Sequence, residues 1–236
     1  MKLPKLSKRT SIFAALLGVA TIFGACKNNN YDNVNTPAVA VLSVVNAYPN
    51  TNPLDFYLGT ERVNNTGLSF GQNIQYFRVY EGKREANIAV TGTTTSLLKK
   101  TVDIQAGNYY SLYITGDKTE TLDYLLIKDN TDAPANGKAK IRFINLSPDA
   151  PALNLVIDDN ATKFENIAYK ANTDFKNVTA NDKSTITLKN TTGTEVGIKL
   201  SDYKFTAGKV YTVWAKGLLN STTDANKLTV QVTSHN

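Results

Sequence analysis

The chain has 236 residues, 42% of them hydrophobic and 19% charged, with 26 Lys+Arg against 20 Asp+Glu and a formal charge of +6. This is globular composition; it excludes collagen-like, disulfide-scaffolded and wholly disordered chains, and the length allows one large domain or two small ones. A single Cys and a single His leave too few soft ligands for a zinc site.

Residues 1–25 have the layout of an export signal: Lys2, Lys5, Lys8 and Arg9, then the apolar stretch Ile12 to Phe23, then the small pair Gly24-Ala25. Twelve helical residues rise about 18 Å against a hydrocarbon core of roughly 30 Å, so a permanent membrane span is not expected. The only Cys, Cys26, follows at once, and Ile22-Phe23-Gly24-Ala25-Cys26 resembles the lipobox of bacterial lipoproteins. That resemblance implies cleavage before Cys26, a diacylglyceryl group on its thiol, and enough acyl chains for stable anchoring. Residues 26–37 are polar and Asn-rich and read as a flexible tether. Lipoproteins of the Bacteroidetes that reach the outer face often carry an acidic cluster after the Cys; here only Asp32 is acidic, so an outer-membrane lipoprotein on either face is the expectation. Four basic residues and no acid lie in 1–25, leaving the remainder at +2 and removing the argument for a nucleic-acid partner.

The rest of the chain is one unit written twice. Leu42 to Leu58 matches Ile141 to Ile157 at an offset of 99, with Asn46/Asn145 and Pro49/Pro148 identical, and Ala106 to Gly116 matches Ala207 to Gly217 at 101. The domains are placed at 38–130 and 137–236, joined by a linker at 131–136. In the first unit, β-branched and aromatic segments bounded by turn residues predict strands at 39–45, 54–58, 76–80, 86–90, 97–104, 109–115 and 122–128. In the second they lie at 140–145, 153–158, 174–178, 184–188, 196–200, 210–215 and 227–232. The fold class expected is all-β: two tandem immunoglobulin-like antiparallel β-sandwich domains, with strand topology open because the Cys…Trp…Cys signature is absent.

Ala139–Asp159 (AKIRFINLSPDAPALNLVIDD) together with Ala207–Gly217 (AGKVYTVWAKG) resembles the domain-of-unknown-function 4397 family of bacterial envelope proteins. The first unit matches less closely, with Tyr48-Pro49-Asn50 where the second has Ser147-Pro148-Asp149. The resemblance implies a secreted β-sandwich module, often in tandem and often on a lipoprotein, and brings no catalytic residues with it.

Candidate chemistry is sparse. His235 sits one residue from the end, where chains fray, and no nucleophile elbow, zinc-protease or phosphate-loop motif is present. Asp149, Asp158 and Asp159 are the carboxylates from which a hydrolase would be built, with Asp55 in the first unit, although Asp149 in Ser-Pro-Asp-Ala-Pro also fits a turn. The linker residues Asp129, Asn130 and Asp132 resemble the interdomain calcium linkers of cadherins, so Ca²⁺ there is one reading and a solvated hinge the other. Strand alternation turns Tyr110, Leu112 and Ile114 to one face and Tyr109, Ser111 and Tyr113 to the other, and it separates Tyr211, Val213 and Ala215 from Val210, Thr212 and Trp214. The first set of each is core. Tyr109, Tyr113 and Trp214 are either a stacking platform for a sugar or peptide or covered structural residues. The expected function is a non-enzymatic, lipid-anchored envelope protein that binds or scaffolds an envelope protein or glycan; a carbohydrate- or peptide-binding accessory protein using these aromatics is the alternative, and a carboxylate hydrolase a third.

Overall fold

The computed structural model describes residues 38–116, 121–158 and 161–235. The segments expected to be a signal peptide (1–25) and a tether (26–37, with Cys26) lie outside the described residues, as does Asp159. In chain order the first half forms β1 (Val39–Asn46), β2 (Leu54–Leu58), β3 (Glu61–Arg62), β4 (Asn73–Tyr80), β5 (Gly82–Val90), β6 (Ser96–Ile104), β7 (Tyr109–Gly116) and β8 (Leu122–Asp129). The second half forms β9 (Lys138–Asn145), β10 (Leu153–Ile157), β11 (Thr162–Ile167), β12 (Lys176–Thr179), β13 (Asn181–Asn190), β14 (Leu200–Phe205), β15 (Val210–Lys216) and β16 (Thr229–Ser234).

Each half is a sandwich of two four-stranded sheets. The orders β4-β1-β7-β8 and β3-β2-β5-β6 recur as β12-β9-β15-β16 and β11-β10-β13-β14, so the sequence repeat is a repeat of topology. The pairing is antiparallel except that β1 runs parallel to β7 and β9 parallel to β15. Leu42, Val44, Phe56, Ile88, Leu112 and Ile114 fill the first core, and Ile141, Phe143, Leu155, Ile186, Val213 and Ala215 the second. The core faces predicted for Tyr109–Thr115 and its counterpart are therefore the ones observed.

The repeated Asn explains itself. Asn46 Oδ1 accepts from the backbone N–H of Tyr48 at 3.0 Å while its Nδ2 donates to the Leu68 carbonyl at 2.8 Å. Asn145 does the same to Ser147 N–H at 3.1 Å and the Ile167 carbonyl at 3.0 Å, the carbonyl partner again 22 residues on. A buried side chain with both an acceptor and a donor thus turns the chain out of the strand and ties it to the crossing loop. At the other end, Tyr110 and Tyr211 each accept on the hydroxyl from a backbone N–H five residues upstream, Gln105 and Thr206. The tyrosine corners of immunoglobulin sandwiches use the same local device. Gly107 and Gly208, at φ +74° and +81°, supply the left-handed turn before these strands and donate to the Val39 and Lys138 carbonyls at 2.8 Å.

Three details differ from the sequence reading. β3 and β11 are additional strands, short or rich in charged and polar residues, and so carry little β signal. The strand expected at 196–200 is displaced to β14, because Gly197 at φ +71° breaks the extended path there. In β4 the register shifts against β1 so that Gln75 and Tyr76 together oppose Ser43. This bulge lets Ile74 and Phe77 both reach the core while Tyr76 points to the opposite face.

Because Asn145 serves two buried polar groups at once, Asn145→Ala is expected to cost about 1–3 kcal/mol. Asn145→Asp, which keeps the acceptor and loses the donor, should recover only part of that; urea unfolding of the three proteins measures both.

Candidate functional site

The face of β1, β7, β9 and β15 that does not meet its own core meets the other sandwich. Val45, Ala47, Tyr113 and Ile127 of the first half close on Ile144, Leu146 and Trp214 of the second. At the repeat offsets of 99 and 101, Val45 corresponds to Ile144, Ala47 to Leu146 and Tyr113 to Trp214. Tyr113 and Trp214 meet edge to face at 6.2 Å. Equivalent residues facing one another are the signature of an isologous contact, here made within one chain.

The polar half of the interface is also built from equivalent positions that have diverged. Ser43 corresponds to Arg142, Ser111 to Thr212, Tyr76 to Phe175 and Asp129 to His235. Arg142, 2% exposed, donates from its Nη2 to Asp129 Oδ1 and from its Nε to Thr212 Oγ1 at 2.8 Å. Asp129 Oδ2 accepts from Ser111 at 2.7 Å and from the Tyr76 hydroxyl at 2.8 Å. Tyr76 lies 2.6 Å from His235 Nδ1, and His235 Nε2 lies 2.5 Å from Thr212 Oγ1. Arg142, Asp129, Tyr76, His235 and Thr212 thus form a closed ring of hydrogen bonds. Phe175 covers it, with the Arg142 guanidinium 5.1 Å from its centroid.

The single hydroxyl hydrogen of Tyr76 goes to the carboxylate, so His235 Nδ1 donates to the Tyr76 oxygen. Burial keeps the imidazole uncharged, which leaves Nε2 to accept from the Thr212 hydroxyl. Burial lowers the pKa of His235 to about 4, outweighing the attraction of Asp129, while the nearby Arg142 works in the same direction as burial. Burial likewise raises the Tyr76 hydroxyl far above its ordinary value, and Asp129 adds to that.

The candidate residues read from sequence fall into new roles. Tyr113 and Trp214 are wholly buried and Tyr109 is 40% exposed, so the three do not make a stacking platform; two of them are the apolar centre of the interface. Asp129 is not a linker ligand but the buried partner of Arg142 at the end of β8. Asn130 and Asp132 are exposed, with Asn130 Oδ1 accepting from Lys140 at 3.3 Å and from the Asp132 N–H at 2.9 Å. No group of three His, Cys, Asp or Glu suited to a metal occurs among the described residues. The calcium reading fails at Asp129, whose two oxygens are already taken.

Asp149 and Asp158 lie at opposite ends of β10, a separation of roughly 16 Å or more, too far for a paired-carboxylate mechanism. Asp149 accepts from Ser147 Oγ at 3.3 Å within its own turn and from the N–H groups of Leu219 and Asn220 at 2.7 and 3.0 Å, pinning another loop to that turn. Asp158 accepts from Thr185 N–H and Ser184 Oγ, both at 2.9 Å. Asp55 is bound by Arg62, Asn64 and Thr91. His235, expected at a frayed end, is 7% exposed and the keystone of the ring. Composition and motifs do not single out Arg142 and Tyr76; the signal that finds them is the repeat itself, at outward positions where the two copies differ in charge (Ser43 against Arg142) or polarity (Tyr76 against Phe175).

Open space next to the ring is a groove of about 360 Å³ lined by Asn73, Gln75, Tyr76 and residues 231–235 of β16 and the following turn. It lies between an edge strand of each sandwich.

The neutral, buried His235 must be protonated in the unfolded chain as pH drops through 6.5, but in the folded chain only near 4. Stability is therefore expected to fall by about 2 kcal/mol from pH 7 to 5 on this account, in chemical denaturation, with the loss absent from His235→Gln. The Tyr113 hydroxyl is buried beside Arg142 and Thr212 without hydrogen-bond geometry to either. Tyr113→Phe should thus be neutral or stabilising, whereas Trp214→Ala should cost about 3–5 kcal/mol.

No curated protein matches the chain. Among solved structures, a Parabacteroides distasonis ATCC 8503 protein that carries a provisional cell-adhesion name is similar over 85% of this chain and 100% of its own, at 9% identity and a TM-score of 0.24. The product complex of a multi-modular glycogen-degrading pneumococcal virulence factor, SpuA, is similar over 74% of this chain and 20% of its own, at 13% identity and a TM-score of 0.24. The domain of unknown function DUF4397 matches residues 40–156 and again 146–235. With two copies spanning both sandwiches, the chain belongs to the DUF4397 family.

Proposed function

We propose that the protein is a non-enzymatic, lipid-anchored module of the cell envelope that binds or scaffolds through the polar loops gathered at the end of its body opposite Ala38. The observation that carries this reading is the direction of the strands. The described chain starts at Ala38, and β1, β7, β9 and β15 all run away from that end. The loops at the end towards which they run include Thr91-Gly-Thr-Thr-Thr-Ser96 after β5, Asn190-Thr-Thr-Gly-Thr194 after β13 and Gly217-Leu-Leu-Asn-Ser-Thr-Thr223 after β15, all rich in small polar residues. Surface loops on a rigid sandwich are the usual place for recognition.

Two further features support it. Cys26 stands in a lipobox-like setting twelve residues before Ala38, so an acyl anchor there would hold the body from its Ala38 end at the outer membrane. Among the described residues, Asp149, Asp158 and the His235 imidazole are engaged in bonds that hold loops and sheets in place.

Metabolic labelling with a radioactive fatty acid tests the anchor. The wild-type chain should be labelled and sediment with membranes, and Cys26→Ala should be unlabelled and leave the membrane fraction. Equal sedimentation of the variant would overturn the reading.

A further inference from the structure

The groove beside Tyr76 adjoins a larger cavity of about 580 Å³ lined by residues 63–68 and 71–74, and Asn73 lines both. The Gln231 amide, donating to the Gly71 carbonyl at 2.5 Å, forms the sill between them. Both volumes fall within the roughly 300–1,000 Å³ of small-molecule sites.

The lining is chemically narrow. In a chain with 46 charged side chains, neither cavity is lined by Lys, Arg, Asp or Glu. The nearest ammonium, Lys216, is turned over the Phe70 ring at 4.8 Å. His235 is neutral for the reasons given above. What remains is amide and hydroxyl: Asn65, Thr66, Gln72, Asn73, Gln75 and Thr233. Among the described residues, no hydrogen bond engages the side chains of Asn65, Thr66, Asn73 or Gln75, so their donors and acceptors face outward unpaired.

A row of uncharged groups, each both donor and acceptor, matches a ligand whose own groups are uncharged and both donor and acceptor. A cation would meet no carboxylate in the lining, and an anion only Lys216, whose ammonium stands against Gly71 and over the Phe70 ring. An extended peptide would pair along a strand edge; the bulge at Gln75-Tyr76 interrupts the edge of β4, which leaves only the β16 edge across the groove for such pairing. We propose that this trough binds a neutral oligosaccharide, with Asn73 and Gln75 as its central hydrogen-bonding residues. The proposal rests on the binding-module part of the function given above and not on the anchor.

The test uses the full-length chain in detergent, titrated calorimetrically with neutral hexasaccharides of glucose, mannose, xylose and N-acetylglucosamine. Hexagalacturonate serves as the anionic counterpart and an uncharged Ser/Gly/Val peptide as the strand-forming one. At least one neutral hexasaccharide should bind and hexagalacturonate should not. The double variant Asn73→Ala/Gln75→Ala should weaken binding about tenfold or more with an unchanged melting temperature, because both side chains lack internal partners. Leu97→Ala, exposed on β6 and outside the lining of both cavities, should bind as wild type. No saccharide binding, tighter binding of hexagalacturonate, binding of the peptide alone, or an unaffected double variant would each overturn the proposal. Fatty-acid labelling of the same preparation separates the two claims: a labelled chain that binds no saccharide defeats this proposal and leaves the anchor standing, and a saccharide-binding chain without label does the reverse.

Discussion

The second face of the central strands is the constraint on which the rest of the molecule depends. β1, β7, β9 and β15 are buried along nearly their whole length, on the core side by their own sandwich and on the other side by the neighbouring one. A sheet buried on both faces must pair every polar atom it encloses, since an unpaired one costs about 1–3 kcal/mol. The ring from Arg142 through Asp129, Tyr76, His235 and Thr212 meets that demand for the charged groups and the imidazole with only side chains, and the Tyr113 and Thr115 hydroxyls are the exceptions on this face. Taking Arg142 and Asp129 out of water costs several kcal/mol per ion, so the pair is weak evidence of net stability. What the ring does supply is registration: only one relative position of the two sandwiches closes it. Apolar contact around Tyr113 and Trp214 drives the association, and the ring selects its geometry.

Packing face to face also changes what a tandem repeat means mechanically. Two sandwiches joined only by a linker would swing about it. Here Lys170 of the second half reaches Asp123 of the first at 2.8 Å, and Gln231 reaches Gly71. Burial would raise the Asp123 carboxyl, but bonds from Lys100 and Lys170 hold it at about 2. The body from residue 37 onward is one compact unit, and a surface shared by both halves keeps its shape. The polar trough is such a surface, because Asn73 and Gln75 stand on one sandwich and Thr233 on the other.

Much of the fold was legible because period-two patterning and turn residues dominate the sequence, and because the repeat checks itself. Strands such as Leu54–Leu58 and Leu153–Ile157 alternate cleanly and end at the expected residues or within one of them. The site was legible only in part. Alternation put Tyr113 and Trp214 on the outward face, and one sequence cannot say whether an outward face meets water or protein. A hint was present: Val39–Val45 and Val210–Ala215 are nearly unbroken apolar runs, as expected of strands covered on both sides. Asp129 was read as linker because Asn130, Thr131 and Pro134 follow it, and the partner that pulls it inward, Arg142, lies on a different strand. His235 was discounted for its position near the end, where only the three-dimensional neighbours Tyr76 and Thr212 reveal its burial.

The divergence of the equivalent interface positions has a bearing on how the chain avoids pairing with itself. Neighbouring repeats of similar sequence are prone to docking on the wrong copy while they fold, within a chain or between chains. If two second halves met through this face, Arg142 and His235 would find another Arg142 and His235 and no carboxylate. If two first halves met, Asp129 would be enclosed opposite Ser43, a buried charge without a counter-ion. Only the pairing of unlike halves neutralises the buried charge. A contact with the geometry of a homodimer has become selective for the partner that follows it along the same chain.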